Sequence, residues 1–433
     1  MNKNPRSAAL QALLQVSENE GYSNIVIDKV IRSLDMDKRD TALASQIFYG
    51  VLEKRITLDF YIGKYLNNPF NKLDPVVKEI LRLSFYQALF LDKIPNSAIV
   101  NEAVELTKEY KKPKLSGFVN AVLREFFRNE DYVILPKENT LYGLSVKYSV
   151  PTDLIDLWQM SYGQDNTIKI LESFNEKAKI YIRKNTVKNI DLQEVNNYPY
   201  LENAYQYSLG GSITKIEGFD EGAFHVQDLA SQYLCKILNP QENENIIDVC
   251  AAPGGKTFTL SQLMNNTGKV YSYDLYKGRV KLIRAGAYRL GLTNVLASVR
   301  DATSPKCEIE NADRILCDVP CSGFGTIRRK PEIRYKDPET FDDLPNIQYD
   351  ILCKSAKHLK QGGVLMYSTC TLNPFENGKV ADRFLREHKD FEALEITIPN
   401  GLKKTILEPD NQLTMMPFAG DTDGFFVAMF KKL

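Results

Sequence analysis

Over residues 1–130, apolar positions recur at the three- and four-residue spacing that gathers them on one face of a helix. Val77, Ile80, Leu81, Phe85, Ala88 and Leu89 form one such stripe, and Ile99, Ala103, Leu106 and Tyr110 form the next. Asn96 or Ser97 can cap the second helix, with Pro95 just outside it. After the breaker cluster KKPKLSG the pattern returns from Phe118 to Phe127, so the spacing predicts a compact all-α bundle over 1–130.

From 131 to 220 the pattern thins. "AKIYIRKNT" alternates as a strand does, Trp158 falls in a helical stretch, and "SLGGSITKIEGFDEG" is dense in turn residues. Together these predict a small α/β module and linker. From 221 to 433 short apolar runs alternate with helical segments: Ile246 to Val249, Val270 to Tyr273, Val295 to Val299, Arg314 to Cys317 and Val364 to Ser368. Continuous apolar runs separated by helices predict βαβ units and a parallel sheet covered on both faces. Such a sheet binds its ligands outside the carboxyl ends of the strands.

Composition narrows the function classes. At 433 residues, 43% hydrophobic and 25% charged, the chain has the makeup of a multidomain globular protein. Lys+Arg and Asp+Glu number 55 each, so polyanion binding must come from local patches rather than from a global field. No stretch approaches the roughly 18 to 20 apolar residues of a membrane span. "MNKNPRSAAL" lacks the apolar region of a signal peptide, and a cytoplasmic protein, with no membrane partner, is expected. Seven irregularly spaced cysteines without a CxxC pair, and only 3 histidines, argue against a disulfide frame and against a metal site.

The carboxyl ends of the apolar runs hold the candidate chemistry. In "IIDVCAAPGGKT", Asp248 lies within a strand and Ala251 to Gly255 form a small-residue turn that opens a helix at Lys256. Small residues admit a ligand to the backbone, and a helix start offers free N–H groups. Asp274 ends the next run, where an acid can accept both hydroxyls of a ribose. Asp301 follows the third run in "VRDAT", and Asp318 ends the fourth. Acids often end strands or cap the helix that follows, but three in succession after a glycine-rich turn point to a nucleoside-containing cofactor.

The turn does not fit GxGxxG. It nearly fits the phosphate loop GxxxxGK[ST], with Cys250 in place of the first glycine and Pro253 inside the loop. A nucleotide hydrolase is therefore a rival reading, although it gives Asp274 no role.

Cys321 in "LCDVPCSGFG" and Cys370 in "LMYSTCTLNPFEN" stand just past the fourth and fifth runs, at ends that face ligand. Cys235, Cys250, Cys307, Cys317 and Cys353 read as buried filler. Two thiols, an acid and a nucleoside cofactor suit methyl transfer to a pyrimidine C5. That carbon is too weak a nucleophile unless a thiolate first adds at C6 and an acid supports the ring at N3. A second thiol, or a water it orders, can then help remove the C5 proton. Spacing alone leaves open which cysteine attacks.

At this point "DVPCSGFGTIRRKPEIRY", "YSTCTLNPFEN", "DVCAAPGGKT" and "GDTDGFFVAMF" resemble the RNA (cytosine-5)-methyltransferases. "IFYGVLEKR", "IPNSAIVNEAVELTK" and "GFDEGAFHVQDLASQ" resemble the bacterial 16S rRNA branch of that family, which carries a NusB-like domain. The resemblance spans nearly the whole chain. It implies an all-α NusB-like domain at 1–130, a small α/β module at 131–220 and an α/β Rossmann-like methyltransferase domain at 221–433.

The resemblance also implies roles. Cys370, of the "TC" pair, is the nucleophile, and Cys321, of the "PC" pair, assists release. The cofactor is S-adenosylmethionine, lined by Cys250, Ala251, Ala252, Pro253, Gly254, Gly255 and Lys256. Asp274 holds the ribose, Asp301 stands on the adenine side, and Asp318 faces both methionine and the base. The expected partner is 16S rRNA, and a monomer is expected. "DVPC" stands where the family more commonly has "DAPC".

A cytosine in a duplex hides C6, so the base must be unpaired or flipped, and RNA contacts must offset that cost. "IRRKPEIRYK" supplies the densest basic patch, with Arg328, Arg329, Lys330 and Arg334 expected to face RNA and Tyr335 to offer a stacking surface. Lys108, Lys111, Lys112 and Lys114, with Arg124 and Arg128, form a second cluster. A non-enzymatic RNA-binding factor is the third reading, but it leaves two thiols at strand ends without a purpose.

Overall fold

A computed structural model of the chain describes residues 4–19, 23–129, 133–188, 190–193, 195–208, 213–305, 307–336 and 338–433. The chain forms two compact units: Met1–Asn175 with Ile327–Lys336, and Glu176–Thr326 with Asp337–Leu433. The first unit is helical. The stripes read from the sequence fall in helices Pro75–Phe90, Asn96–Glu109 and Ser116–Arg128, where Val77, Ile80, Leu81, Phe85, Ala103, Leu106 and Phe126 share one buried core. The second of these starts at Asn96 without a side-chain cap, whereas Asp74 caps the first through the Val76 N–H. Arg82, buried in this core, is held by Asp59 at 2.6 and 2.7 Å and by Glu79 at 2.5 Å. Its buried guanidinium is thereby paired with two carboxylates.

The expected module at 131–220 does not stand apart. Helices Leu141–Tyr148, Thr152–Tyr162 and Gln164–Ser173 belong to the helical unit, with Trp158 fully buried. The strands that follow belong to the second unit and make a small antiparallel sheet: β1 (Ile180–Lys184), β2 (Val195–Asn197), β3 (Ala204–Tyr207) and β4 (Phe224–Val226), in the order β2-β3-β1-β4.

The basic patch also departs from expectation. Residues Ile327–Lys336 belong to the helical unit. Arg334 is 3% exposed, and its Nη1 donates to the carbonyls of Ser149 at 3.0 Å and of Tyr148 and Glu53 at 3.3 Å. Tyr335 donates its hydroxyl to the Ser149 carbonyl, and the Arg55 guanidinium lies 5.5 Å from the centre of its ring. Arg334 is therefore a structural residue rather than an RNA-facing one, and the Tyr335 ring already has a partner. The linear run of charge gave no sign that this segment returns to the helical unit. Arg328, Arg329 and Lys330 are half-buried.

The second unit is built on one large sheet. Its strands are β5 (Asn245–Asp248), β6 (Lys269–Asp274), β7 (Val295–Val299), β8 (Ala312–Asp318), β9 (Leu359–Thr369), β10 (Phe391–Ala393), β11 (Gln412–Met415) and β12 (Phe425–Lys432). The order is β10-β12-β9-β8-β5-β6-β7, with β11 paired to β12. The five runs read as parallel strands are β5 to β9, and they pair in parallel. β12 enters antiparallel beside β9.

Both faces are buried, which is why the runs show no polar alternation. Ile246, Leu316, Met366 and Val427 pack on one face, and Ile247, Ile315, Cys317, Leu365, Tyr367 and Phe426 on the other. Side chains alternate faces with period two. Asp248, Asp274, Asp318, Ser368 and Cys370 consequently all lie on the first face, at or past the carboxyl ends of their strands. β5 feeds β6 on one side and neighbours β8 on the other, so the sheet's order reverses beside these residues. That reversal is where open α/β sheets take their ligands.

Among the described residues no helix is long and apolar enough to cross a membrane, and no cluster of His, Cys, Asp and Glu is arranged to hold a metal ion.

Candidate active site

The β8–β9 register sets Asp318 opposite Ser368, and the Ser368 hydroxyl donates to Asp318 Oδ1 at 2.9 Å. The other oxygen, Oδ2, lies 2.6 Å from Lys256 Nζ, with the two side chains 16% and 21% exposed. Lys256 is the second residue of the helix Gly255–Leu263, so the glycine-rich turn after β5 delivers the cation to the acid on β8. Burial by itself disfavours the ammonium, but the Asp318 carboxylate more than compensates and raises the Lys256 pKa. A phosphate-loop lysine must be available to reach phosphates. This one is paired with Asp318, in a turn that already lacks the first glycine of a phosphate loop.

Beyond the strand ends the two thiols meet. Cys321 Sγ and Cys370 Sγ are 3.2 Å apart, and the Cys370 N–H points at Cys321 Sγ from 3.3 Å. Neither is in a disulfide, and both are half-buried. The Cys321 thiol is pushed well above its ordinary pKa, first by its hydrogen bond to the Cys370 sulfur and then by burial. Either sulfur can donate across this contact, so the pair can share one proton.

Of the five cysteines read as buried filler, Cys235 and Cys317 are buried, and Cys250, Cys307 and Cys353 are half-buried. Burial lifts Cys235 and Cys317 to about 12. Cys250 packs with the cluster on the opposite face of the sheet and is raised well above its ordinary value, again by burial first.

The expected cofactor-binding residues lie around the same end of the sheet. Gly254, with φ of 115°, turns the chain into the helix, and no side chain caps that helix start. Any Cβ at Gly254 would lie 2.3 Å from the Phe258 ring. Asp274, 5% exposed, accepts from the Tyr276 N–H at 3.1 Å and lies 3.8 Å from Arg279. Asp301 is exposed and accepts from the N–H and hydroxyl of Thr303, which hold its pKa below the usual carboxylate range. A buried acid at a strand end, N–H groups at a helix start without a side-chain cap and a slim Ala251–Ala252–Pro253 approach are together a donor and acceptor set suited to a nucleoside cofactor.

Asp248 has a different part. It is 1% exposed, accepts from Thr257 Oγ1 at 2.7 Å, and burial raises its pKa to about 7. An acid whose pKa is raised on folding stabilises the fold below its unfolded pKa of about 4, and that contribution is lost as pH climbs through about 7. The melting temperature of Asp248→Asn relative to the natural protein is therefore expected to rise between pH 5 and pH 8. A difference independent of pH would contradict the assignment.

Several residues that hold the thiols escaped the sequence reading. The loop after Cys321 is strapped from both sides: Gly325 N–H donates to the Cys370 carbonyl at 3.0 Å, and Gly424 N–H to the Gly325 carbonyl at 2.9 Å. Any Cβ at Gly325 would sit 1.9 Å from the Gly424 carbonyl oxygen, and one at Gly424 would sit 2.7 Å from the Gly325 Cα. Two backbones can approach this closely only without side chains. Gly325→Ala is expected to cost about 2 kcal/mol of stability and to slow turnover by about tenfold or more, as the thiols are pushed out of register. Melting and steady-state assays check both. "GDTDGFF" and "NPFEN" were visible as motifs, but nothing in their spacing said that they brace the thiols.

Comparison with known proteins identifies the family. Residues 235–431 match the family described as 16S rRNA methyltransferase RsmB/F, and residues 3–128 match the NusB family. The chain is 37% identical to the probable ribosomal RNA small subunit methyltransferase B of Bacillus subtilis, over 99% of this chain and 98% of that protein. The crystal structure of PH0851 superposes with a TM-score of 0.85 at 27% identity, covering 100% of this chain and 99% of that one. The structure of NSun6 from Pyrococcus horikoshii with SFG shares the fold, with a TM-score of 0.58 at 23% identity over 65% of this chain and 98% of its own. A NusB domain followed by a methyltransferase sheet, matched along the full length by such relatives, places the chain in the ribosomal RNA small subunit methyltransferase B family, enzymes that methylate ribosomal RNA.

Proposed function

We propose that this enzyme methylates C5 of a cytosine in 16S rRNA through a covalent bond between Cys370 and C6, with S-adenosylmethionine as methyl donor. The observation that carries the reading is the pair of sulfurs 3.2 Å apart on the same sheet face as the Lys256–Asp318 pair. The NSun6 neighbour, whose structure contains SFG, an analogue of that donor, supports the choice of cofactor. Gly254, Gly255 and the 251–253 turn would hold the donor beside Asp274, with Asp301 at its outer edge and Cys250 contributing backbone. The donor supplies an electrophilic methyl group on a sulfonium.

The chain's own residues supply the rest. Cys370, as its thiolate, adds through sulfur to C6 of the base, which makes C5 an enamine carbon. A proton passed to N3 from the Lys256–Asp318 pair neutralises the negative charge that this addition builds on the ring, and leaves Asp318 hydrogen-bonded to the N3–H. Once C5 carries the methyl group, its proton must leave. A water that Cys321 orders takes that proton, the electron pair re-forms the C5–C6 double bond, the Cys370–C6 bond breaks to return the thiolate, and the N3 proton goes back to the Lys256–Asp318 pair.

Spacing could not choose between the thiols. The place of Cys370 in the "TC" pair favours it as the attacking sulfur, and the Cys370 N–H directed at Cys321 Sγ leaves Cys321 as its partner. Mapping 5-methylcytosine in 16S rRNA from cells with and without the protein tests the reading. A single modified cytosine should vanish with the protein and return when it is restored, and an unchanged map would contradict the reading.

A further inference from the structure

Glu376 is fully buried, yet it is reached by four donors. Ser322 donates twice, from its N–H at 2.9 Å and from its hydroxyl at 2.5 Å. Gln348 donates from Nε2 at 2.8 Å and Asn373 from Nδ2 at 2.9 Å. Gln348 Nε2 also donates to the Pro320 carbonyl at 2.9 Å, and Tyr367 braces both, bonding Gln348 Oε1 at 3.2 Å and the Glu376 carbonyl. The residues on either side of Cys321 are thus tied to one carboxylate and one amide. Glu376 itself lies in the loop that follows Cys370, and the Ser322 hydroxyl is 2.7 Å from that of Thr371, the residue after Cys370.

A buried carboxylate needs donors but has no need to find them on two different thiol-bearing loops. Here the network spans both, so the separation of the sulfurs is set by Glu376 as well as by the strand ends. Attack by Cys370 draws on its own strand end and on Asp318, whereas the release step needs Cys321 held over C5 to within a fraction of an ångström.

We propose that Glu376, assisted by Gln348, is a positioning residue for the release step: it holds the Pro320–Ser322 turn so that the water Cys321 orders can clear the C5 proton from the methylated adduct. This rests on the assignment of Cys321 to release. Loss of the carboxylate therefore slows breakdown of the adduct more than its formation. Gln in place of Glu keeps the volume but presents an N–H₂ to a site whose four contacts all donate, so the turn is released without opening a cavity.

The test compares full-length natural protein, Cys321→Ser, Glu376→Gln and Gln348→Ala, each with 16S rRNA and S-adenosylmethionine. Protein–RNA adduct is read on denaturing gels, and single-turnover methylation and steady-state turnover are measured alongside. Glu376→Gln is expected to accumulate adduct, to lose roughly ten- to a hundredfold in kcat with KM unchanged, and to keep a near-natural single-turnover rate. Gln348→Ala should do the same more weakly, which keeps the proposal testable if Glu376→Gln fails to fold.

A merely structural role would lower adduct and product together. Adduct in Cys321→Ser without any in the Glu376 and Gln348 variants would overturn the positioning role. Absence of adduct in Cys321→Ser as well would overturn the release assignment on which it stands.

Discussion

Cys370→Ala is expected to lose methyl transfer by roughly four orders of magnitude or more, since no neighbouring group can replace a thiolate that must add to C6. Cys321, only 3.2 Å away, is not a substitute. Its turn is tied to Glu376 through the Ser322 N–H and to Gln348 through the Pro320 carbonyl, which hold its sulfur away from the place of Cys370. The substitution removes one half-buried sulfur, so folding and donor binding should be almost unchanged. Single-turnover transfer to 16S rRNA, together with calorimetric binding of the demethylated donor, separates the two effects. Residual transfer within tenfold of the natural rate, with Cys321 intact, would mean that the other thiol attacks.

The second large effect is expected at Asp318. Asp318→Asn removes both the relay to N3 and the counter-charge of Lys256. The first loss should lower kcat by about a hundred- to ten-thousandfold. The second leaves an ammonium, 16% exposed, without its carboxylate 2.6 Å away, at a cost of about 3 kcal/mol. These consequences separate in the double variant Lys256→Met with Asp318→Asn, where the stranded charge is gone. Stability should largely return while activity stays lost. If the double variant were as unstable as the single one, the pair would not be the coupled unit described here.

What could be read from the sequence follows from what periodicity encodes. Five strands of the large sheet were legible because each is buried on both faces, and a short continuous apolar run between turn residues, such as Arg314 to Cys317, suits a sheet interior far better than a solvated edge. Neighbouring strand ends also implied that Cys321 and Cys370 stand near one cleft. The register itself, Asp318 opposite Ser368, is a property of the pairing of two strands some 50 residues apart, and no local pattern states it. For the same reason the Lys256–Asp318 bond, the Gly325–Gly424 approach and the Glu376 network were out of reach, although each residue lay within or beside a recognisable motif.

Arg334 shows the opposite failure. A linear run of basic residues reads as a solvated face because most such runs are, but burial depends on where the chain goes next. Here it returns to the helical unit, and carbonyls of Ser149, Tyr148 and Glu53 take up the guanidinium. Arg328, Arg329 and Lys330 stay as proposed RNA contacts, and their individual replacement should weaken RNA binding and flatten its salt dependence. The helical unit carries the NusB match, and removal of the Lys108–Lys114 cluster by charge-neutral substitution is the corresponding check on its contribution to RNA affinity.

The division of labour between the thiols is most directly tested by denaturing gels of Cys321→Ser and Cys370→Ser after incubation with 16S rRNA and S-adenosylmethionine. Cys321→Ser should carry RNA covalently on the peptide that contains Cys370, and Cys370→Ser should carry none. An adduct on Cys321 in the Cys370→Ser protein, with none in its counterpart, would contradict the account.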